Sequence, residues 1–370
     1  MSERDFYAPG FSLKIGGQDL SQIGFIVQRL TVEQSVEAAA RLSFSLFRAG
    51  TEKTLAHWLE EALSLLKLGL LVEAWAGYGG KRLLIFKGCL TSFSYAFSVD
   101  SVGEIQVEAQ DFLFLMMKRK ALRSRGQDGF SEVYDHEIVK RLLLHYPSFE
   151  KQDIDQTSVK YPKVQQKKEE HDYQFLKRLA ERNGYFLYAR LDQQEEKSVF
   201  CFQKPRDKAG GEVRGHELSF GRELRSFSPQ FSLTQVVTKV VVRGWDPKNK
   251  KEIEGQAELP AAEQRRLEEA NFIDPLILEV HQPVRDRKEA EERARALLFK
   301  HRRLLEAEAE TLGLTELQAG DLVKIRGLPS CTGPYGLDLC RVYLAHQVTH
   351  QIGETGYRLR LKLKEVMALP

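Results

Sequence analysis

Two distant segments of the chain carry the same ordered series of strand and turn patterns, and this correspondence constrains the fold more than any other feature. Residues 69–74 (Gly-Leu-Leu-Val-Glu-Ala) match residues 320–325 (Gly-Asp-Leu-Val-Lys-Ile) in pattern. A glycine-containing turn, a long strand and a closing strand of alternating apolar and polar residues follow each segment. The turns lie at 77–80 and 333–336, the long strands at 85–97 and 341–352, and the closing strands at 105–109 and 357–362.

This correspondence predicts two copies of one β-rich unit. Three such chains could place six similar units around a ring, which would fit a sixfold partner on one side and a threefold partner on the other. The alternative is that two unrelated β domains share the ordinary succession of strands and hairpins, because topology inferred from one sequence is often wrong.

The predicted fold class is α+β, mainly β, with two β-barrel domains at residues 1–111 and 216–370. Leu42, Phe44 and Leu46 alternate with polar residues, as in a half-buried strand. Helical spacing of leucines predicts one helix at 51–67. In the second domain we expect strands at 236–245 and 251–257 and a helix at 285–304.

Residues 112–215 differ in pattern and predict a smaller α+β domain inserted between the two β domains. Helical spacing covers 132–146 and 171–183, and the second helix should end at Asn183-Gly184. A hairpin should follow at 185–191 and 198–202, and the charged, glycine-containing stretch 208–215 should be the exit linker.

Charge and composition exclude several classes of protein. The net charge is only +3, from 55 basic and 52 acidic residues, so no strong attraction to nucleic acid or an anionic membrane is expected. The basic run at 118–125 is the best nucleic-acid candidate, although a solvated helix end explains it better. No apolar stretch is long enough to span a membrane, and no signal peptide is evident, so we expect synthesis in the cytoplasm.

The four cysteines do not form a metal or redox motif. Cys89 and Cys201 lie in apolar runs, as buried thiols do, whereas Cys331 and Cys340 flank a turn and could face each other. The redox state of that second pair is left open, and no disulfide is predicted.

No catalytic, cofactor-binding or metal-binding residue is predicted. The sequence at 77–82 lacks the first glycine and the Ser/Thr of a phosphate loop. His346 and His350 fall four residues apart in a predicted strand, about 13 Å at the usual rise per residue, which one metal ion cannot bridge. Adjacent glutamates at 60–61 and 169–170 should point apart on helices, unlike a glycosidase pair. We therefore predict that the protein is not an enzyme.

Three motifs resemble the late control D family, which includes phage tail hub proteins and the N-terminal part of type VI secretion spike proteins. Residues 169–188 are similar to that family's "(E/S)D(F/Y)xFLxRLAEREG(Y/F)" segment, and residues 240–251 to its "V(x)VxGWDPxxK". Residues 317–327, together with 335–336 and 346–364, resemble its last tube-like repeat. The resemblance covers essentially the whole chain in the right order, and its recognisable motifs fall in the inserted domain and the second β domain.

The resemblance implies two tube-protein-like barrels and a homotrimeric baseplate hub of a phage tail or contractile injection system. In that family the hub joins the hexameric inner tube to a spike trimer. Because this sequence ends at Pro370, soon after the last strand, we expect the spike to be a separate protein. Baseplate wedge or LysM-type proteins are further expected partners, and the assembled particle is expected to be released in some cases.

Ring and tube contacts should then involve strand edges and turns of both β units. The residues predicted at these interfaces are Gly77, Tyr78, Ile85, Phe93, Tyr335, Val342 and Val348. The alternative function is a cell-wall hydrolase delivered by the same machine. A carbohydrate- or nucleic-acid-binding β protein is a third hypothesis, favoured only by the basic run at 118–125.

Overall fold

The computed structural model describes most of the 370-residue chain. The described residues are 9–47, 52–95, 104–118, 129–205, 215–234, 236–246, 249–269, 276–301, 304–354 and 356–366. Of the predicted features, nearly all of the exit linker at 208–215 and most of the basic run at 118–125 lie outside these residues.

The N-terminal part is a β unit with one helix. Its elements are β1 (Pro9–Ile15), β2 (Gln18–Asp19), β3 (Ile26–Ser35), β4 (Arg41–Phe47), α1 (Glu52–Leu65), β5 (Leu71–Tyr78), β6 (Lys81–Tyr95) and β7 (Glu104–Gln110). The predicted helix and the predicted hairpin around 77–80 are both present, and α1 buries Trp58 and Ala62 against the strands.

The middle part mixes helices with short strands. Its elements are α2 (Leu113–Lys118), β8 (Phe130–Tyr134), α3 (Asp135–Leu143), β9 (Lys151–Ile154), β10 (Lys160–Val164), α4 (Asp172–Asn183), β11 (Phe186–Asp192) and β12 (Lys197–Gln203). These elements surround their own apolar core, which includes Ile138, Phe175 and Phe200.

The C-terminal part contains a second β unit and an additional small sheet. Its elements are β13 (Gly215–Ser219), β14 (Leu224–Phe231), β15 (Lys239–Asp246), β16 (Lys251–Glu258), α5 (Ala261–Glu269), β17 (Ile277–His281), α6 (Arg287–His301), β18 (Leu305–Leu312), β19 (Leu322–Arg326), a 3-10 turn (Pro334–Gly336), β20 (Val342–Gly353) and β21 (Gly356–Glu365).

Strands of both β units join in one 13-stranded sheet over a continuous apolar core. The main path through this sheet runs β14-β18-β21-β20-β3-β4-β7-β6-β5-β1-β2, and β19 and β13 extend from β20. The fold is therefore mainly β, as predicted. Among the described strands no sheet closes on itself, so the two predicted barrels are not seen as closed structures.

The two β units have the same strand order. The first runs β3-β4-β7-β6-β5-β1 across the sheet and the second runs β14-β18-β21-β20-β19-β13, with equivalent strands in the same chain order. Four successive antiparallel pairs match. The fifth differs, because β1 pairs with β5 antiparallel whereas β13 pairs with β19 parallel.

The register of the two units also agrees residue by residue. The amide of Gly69 donates to the carbonyl of Leu90 at 2.8 Å, and that of Gly320 donates to the carbonyl of Ala345 at 2.9 Å. Each long strand has an irregularity at the next residue, between Leu90 and Ser92 in one unit and directly after Ala345 in the other. The correspondence between 69–74 and 320–325 in the sequence is therefore a structural equivalence.

A hairpin from the middle part packs across both units. Leu191 exchanges backbone hydrogen bonds with the side chain of Gln318, at 2.9 and 3.0 Å. The side-chain amide of Gln193 donates hydrogen bonds to two backbone carbonyls. One belongs to Thr315 in the second unit and the other to Leu84 in the first unit. This contact holds the middle part against both halves of the sheet.

Three sequence-based expectations differ from the structure. The helix predicted to begin at 132 begins at Asp135, because 130–134 form β8, which pairs with β10. The strands predicted at 236–245 and 251–257 form, but with β17 they make a separate three-stranded sheet with its own core against α6. Cys331 and Cys340 are joined by a disulfide, with Cα atoms 5.1 Å apart.

Candidate interaction surfaces

One face of the 13-stranded sheet is polar because apolar and polar residues alternate along its central strands. In β4 and β7 the side chains of Leu42 and Val107 enter the core, whereas Ser45 bonds Gln106 on the opposite face at 3.1 Å. An alternating antiparallel sheet of this kind covers its core with one face and leaves the other to water or a polar lumen.

Charges on this polar face are arranged in complementary rows. Three glutamates of β18 lie directly opposite three basic residues of β21, in the pairs Glu306–Lys364, Glu308–Lys362 and Glu310–Arg360. On the neighbouring strands, Arg41 bonds Glu108. Opposite charges placed across a strand pair stabilise that register. The face is therefore polar without a large excess of one sign.

The predicted interface residues of the first unit are divided between surface and core. Gly77 lies in the hairpin, where a Cβ atom would stand 1.8 Å from the carbonyl oxygen of Lys81. Tyr78 stacks on Tyr357, with ring centroids 5.8 Å apart, and burial raises the pKa of its phenol to about 12. Phe93 is half-buried at the rim of the core. Ile85 is only 1% exposed, so it presents no surface to a second chain in this conformation.

The predicted residues of the second unit divide in the same way. Val342 is half-buried at the start of β20, and the backbone of Tyr335 lies in the 3-10 turn. Val348 is fully buried at the centre of β20, between β21 and β3. Ile85 and Val348 thus support the fold of a single chain, and their role at an interface would be indirect.

His346 and His350, considered as metal ligands in the sequence, have different surroundings. His346 lies beside Lys364 and Glu37, at 3.0 and 3.2 Å. His350 is fully buried with its Nδ1 atom 2.7 Å from the Tyr357 hydroxyl, and burial lowers its pKa to about 3. Across the described ranges, no group of three His, Cys, Asp or Glu side chains is arranged to hold a metal ion.

Charged residues of the motif around α4 bind one another within the fold. Asp172 is buried and accepts hydrogen bonds from the Tyr146 hydroxyl at 2.6 Å and from Gln166 at 2.8 Å. Arg178 forms a two-point ion pair with Glu170, with both bonds at 2.8 Å. These charged residues of the motif therefore stabilise the middle part of the fold.

An open cleft of about 580 Å³ lies between α4 and α6. Its lining includes Arg182 and Arg293, but both are already engaged by buried carboxylates, those of Asp135 and Glu289. Because its arginines are internally paired, the cleft offers a ligand less positive charge than its composition suggests.

The sheet also has open edges. Along β6, β5 pairs only as far as Cys89, so among the described residues 92–95 are paired on one side alone, by β7. At the other end of the sheet, β14 pairs with β18 and with no other described strand. The repeat in the sequence predicted the long strand at 85–97, but which strand edges stay open depends on strand order, which the sequence did not reveal.

None of the described helices has the length and apolar content that a membrane crossing requires.

Comparison with known proteins gives one family and a shared fold. The family model described as Alg8 N-terminal domain matches residues 8–331. It is not the late control D family whose motifs the sequence resembles. No curated protein sequence matches the chain.

Solved structures of tail proteins are similar over almost the whole chain. A tail protein from Neisseria meningitidis MC58 is 13% identical over 97% of each chain, with a TM-score of 0.68. The 43 kDa tail protein of prophage MuSo2 from Shewanella oneidensis is 15% identical over 96% of this chain and 98% of its own, with a TM-score of 0.67.

A third similar structure comes from a secretion system. The Escherichia coli c3393 protein is a component of the type VI secretion system with structural similarity to T4 bacteriophage tail proteins gp27 and gp5. It is 14% identical over 97% of this chain and 80% of its own, with a TM-score of 0.56. At these identities the likeness establishes a shared fold.

Proposed function

The chain belongs to the Alg8 N-terminal domain family, and we propose that it is a structural baseplate hub of a contractile injection system or phage tail. In this proposal three copies form a pseudo-sixfold ring that joins a hexameric inner tube to a separate trimeric spike. The fold shared with tail proteins supports the proposal.

The observation that carries the proposal is the repeated strand order. Two units with the same order and register occur in each chain, so three chains supply six similar units. A ring of this kind presents six near-equivalent positions to a tube while keeping true threefold symmetry for a spike. A protein with only one such unit would need six copies to form the ring. That ring would have sixfold symmetry and would not match a threefold spike.

In the proposed ring each unit would resemble one tube subunit, and the polar face of the sheet would line the lumen. The paired charges on that face suit a wet channel better than a packed interface. The hairpin that bonds Leu84 and Thr315 would brace the two units of each chain from outside. Membership of the late control D family, wedge or LysM-type partners, and release within a particle are parts of the same proposal.

Native mass spectrometry of the purified protein tests the stoichiometry. We expect a species of three times the 42.4 kDa chain mass, and we expect the protein to co-purify with a tube protein and a spike protein when expressed with its neighbours. A strict monomer that binds neither a tube protein nor a spike protein would contradict the hub proposal.

A further inference from the structure

The two β units of one chain are joined by a pair of strands. Because the units are repeats, each residue of this joint has an equivalent residue elsewhere in the chain. Residues 347–352 of β20 pair antiparallel with residues 30–35 of β3. At its centre Val348 lies opposite Gln34, and both are buried, with 0% and 6% of their surface exposed. The Gln34 amide bonds the carbonyl of Ile85 at 3.0 Å and accepts from the Ala319 amide at 3.2 Å.

The repeat identifies the residues that are equivalent to this joint. In the long strands, Val348 opposite Leu361 corresponds to Phe93 opposite Val107, because each lies two positions after the same irregularity. Phe93 of β6 is therefore the counterpart of Val348 of β20.

The other side of the joint is matched through the next strand. Leu42 of β4 and Ala307 of β18 are equivalent, since each lies opposite a matched residue of the closing strand. Val32 faces Leu42 as Pro229 faces Ala307. Two residues further along, Phe231 at the end of β14 is therefore the counterpart of Gln34.

These counterparts stand on the two open edges of the sheet. Phe93 and Phe231 are both half-buried at the rim of the core, whereas Val348 and Gln34 are enclosed. A half-buried aromatic side chain beside an unpaired strand edge is expected where a partner strand, present at the internal joint, is missing. Within one chain the two edges belong to strands at distant positions of the sheet, with six strands between them.

We propose that these two edges pair between copies, with β6 of one chain adding antiparallel to β14 of the next. Phe93 would lie opposite Phe231 and Ser94 opposite Gln230, which repeats the internal joint in the same register. The partner is a second copy of this chain, and the contact is head-to-tail, so it continues until the ring closes. This inference rests on the proposed hub and names the interface that would build it.

The residues at the edges fit such a pair. The two phenylalanines lie on the core side and would complete the apolar layer, whereas Ser94 and Gln230 lie on the polar side and can hydrogen-bond. Pro229, next to Gln230, has no amide proton, so β14 supplies one donor fewer than β3 does at the internal joint. The intermolecular joint is therefore expected to be the weaker one, as suits a contact formed during assembly.

Site-directed cysteine cross-linking tests the register. One chain carries Ser94→Cys, and a second chain with a mass tag carries Gln230→Cys, so that only contacts between chains are detected. Side chains directly opposite in an antiparallel pair have Cβ atoms about 5 Å apart. The matched control is Ser226→Cys on the same strand, four residues away, which the strand rise places about 13 Å from Ser94 in this register.

Mild oxidation of the mixed, refolded chains should give a reducible tagged–untagged product for the Ser94 and Gln230 pair. We expect it in at least tenfold excess over the Ser226 pair, and a protein without added cysteines accounts for the native thiols. Circular dichroism of each variant checks that the fold is retained.

The outcomes separate this inference from the hub itself. A trimer by native mass with equal or no cross-linking of the two pairs would overturn the proposed joint and leave the hub standing. A monomer with no cross-link would remove both. A product at Ser94 and Gln230 in a trimeric preparation would support both.

Discussion

Gly69 and Gly320 occupy equivalent positions in the two β units, so a substitution at one serves as the control for the same substitution at the other. Their φ angles are +88° and +93°, and each donates its amide to the equivalent carbonyl of the long strand. Their surroundings differ. A Cβ atom at Gly69 would meet nothing within 4 Å, whereas one at Gly320 would stand 2.5 Å from the hydroxyl oxygen of Tyr188.

Alanine at either position should cost backbone strain, and only at Gly320 should it also cost overpacking. A non-glycine residue at such a φ costs about 1–3 kcal/mol, of which about 0.4–1 kcal/mol is offset by the lower entropy of the unfolded chain. Forcing an extra carbon into a packed site costs about 1–3 kcal/mol more. We therefore expect Gly69→Ala to destabilise by about 1–2 kcal/mol and Gly320→Ala by about 2–5 kcal/mol.

Urea unfolding followed by far-UV circular dichroism measures both variants. Protein concentration has to be equal in all samples, since assembly adds to apparent stability. Tyr188→Phe is the diagnostic background, because it removes the oxygen nearest to the new Cβ along with its hydrogen bond to Gln203. In that background the excess cost of Gly320→Ala should shrink.

Equal costs for the two glycine substitutions in the unaltered protein would refute this reasoning. So would an excess at Gly320 that does not change when the Tyr188 hydroxyl is removed. Either result would mean that the hairpin of the middle part does not pack against the second β unit as the structure has it.

Three further predictions concern buried strand residues. The pKa of His350 is lowered to about 3 by burial, so its contribution to stability is complete above the unfolded value of 6.5 and is lost as pH falls towards 3. Between pH 6.5 and 4.5 this amounts to about 2 kcal/mol, which urea unfolding should detect in the native protein and not in His350→Leu. Val348→Asp places an unpaired carboxylate in the central strand, at a cost of several kcal/mol, and should give insoluble protein. Val241→Asp should disrupt the small sheet of β15–β17 and lower solubility, so a soluble, assembled Val241→Asp protein would show that the strand assignment there is wrong.

Local pattern was sufficient for most individual elements. Alternation predicted β4, β7 and β21, helical leucine spacing predicted α1, and Asn183-Gly184 predicted the end of α4. These features depend on neighbours in the chain, because a residue's face on a strand or helix is set by its position relative to the next few residues. The helix start at 132 was predicted wrongly because the strand there is stabilised by β10, about thirty residues away in sequence.

The residues predicted at interfaces differ in burial within one chain, for a related reason. The family resemblance pointed to Ile85, Phe93 and Val348 alike, since all three lie in the long strands where interface edges were expected. Only the strand order separates them, because it encloses Ile85 and Val348 and leaves Phe93 at an edge. The disulfide between Cys331 and Cys340 likewise depends on the path of the chain around the 3-10 turn.

From the sequence alone, the correspondence between 69–74 and 320–325 predicted two copies of one β unit and left two unrelated β domains as the alternative. It did so because turn glycines and alternating side chains act locally and are repeated in order. The folded chain alone shows that the two units share one sheet and that β15–β17 form a separate sheet. Among the described residues, it also leaves 92–95 of β6 and the outer side of β14 without a second strand partner. Strand pairing is a contact between residues far apart in the chain, and its choice of partner is fixed by the burial of the whole core rather than by any one segment.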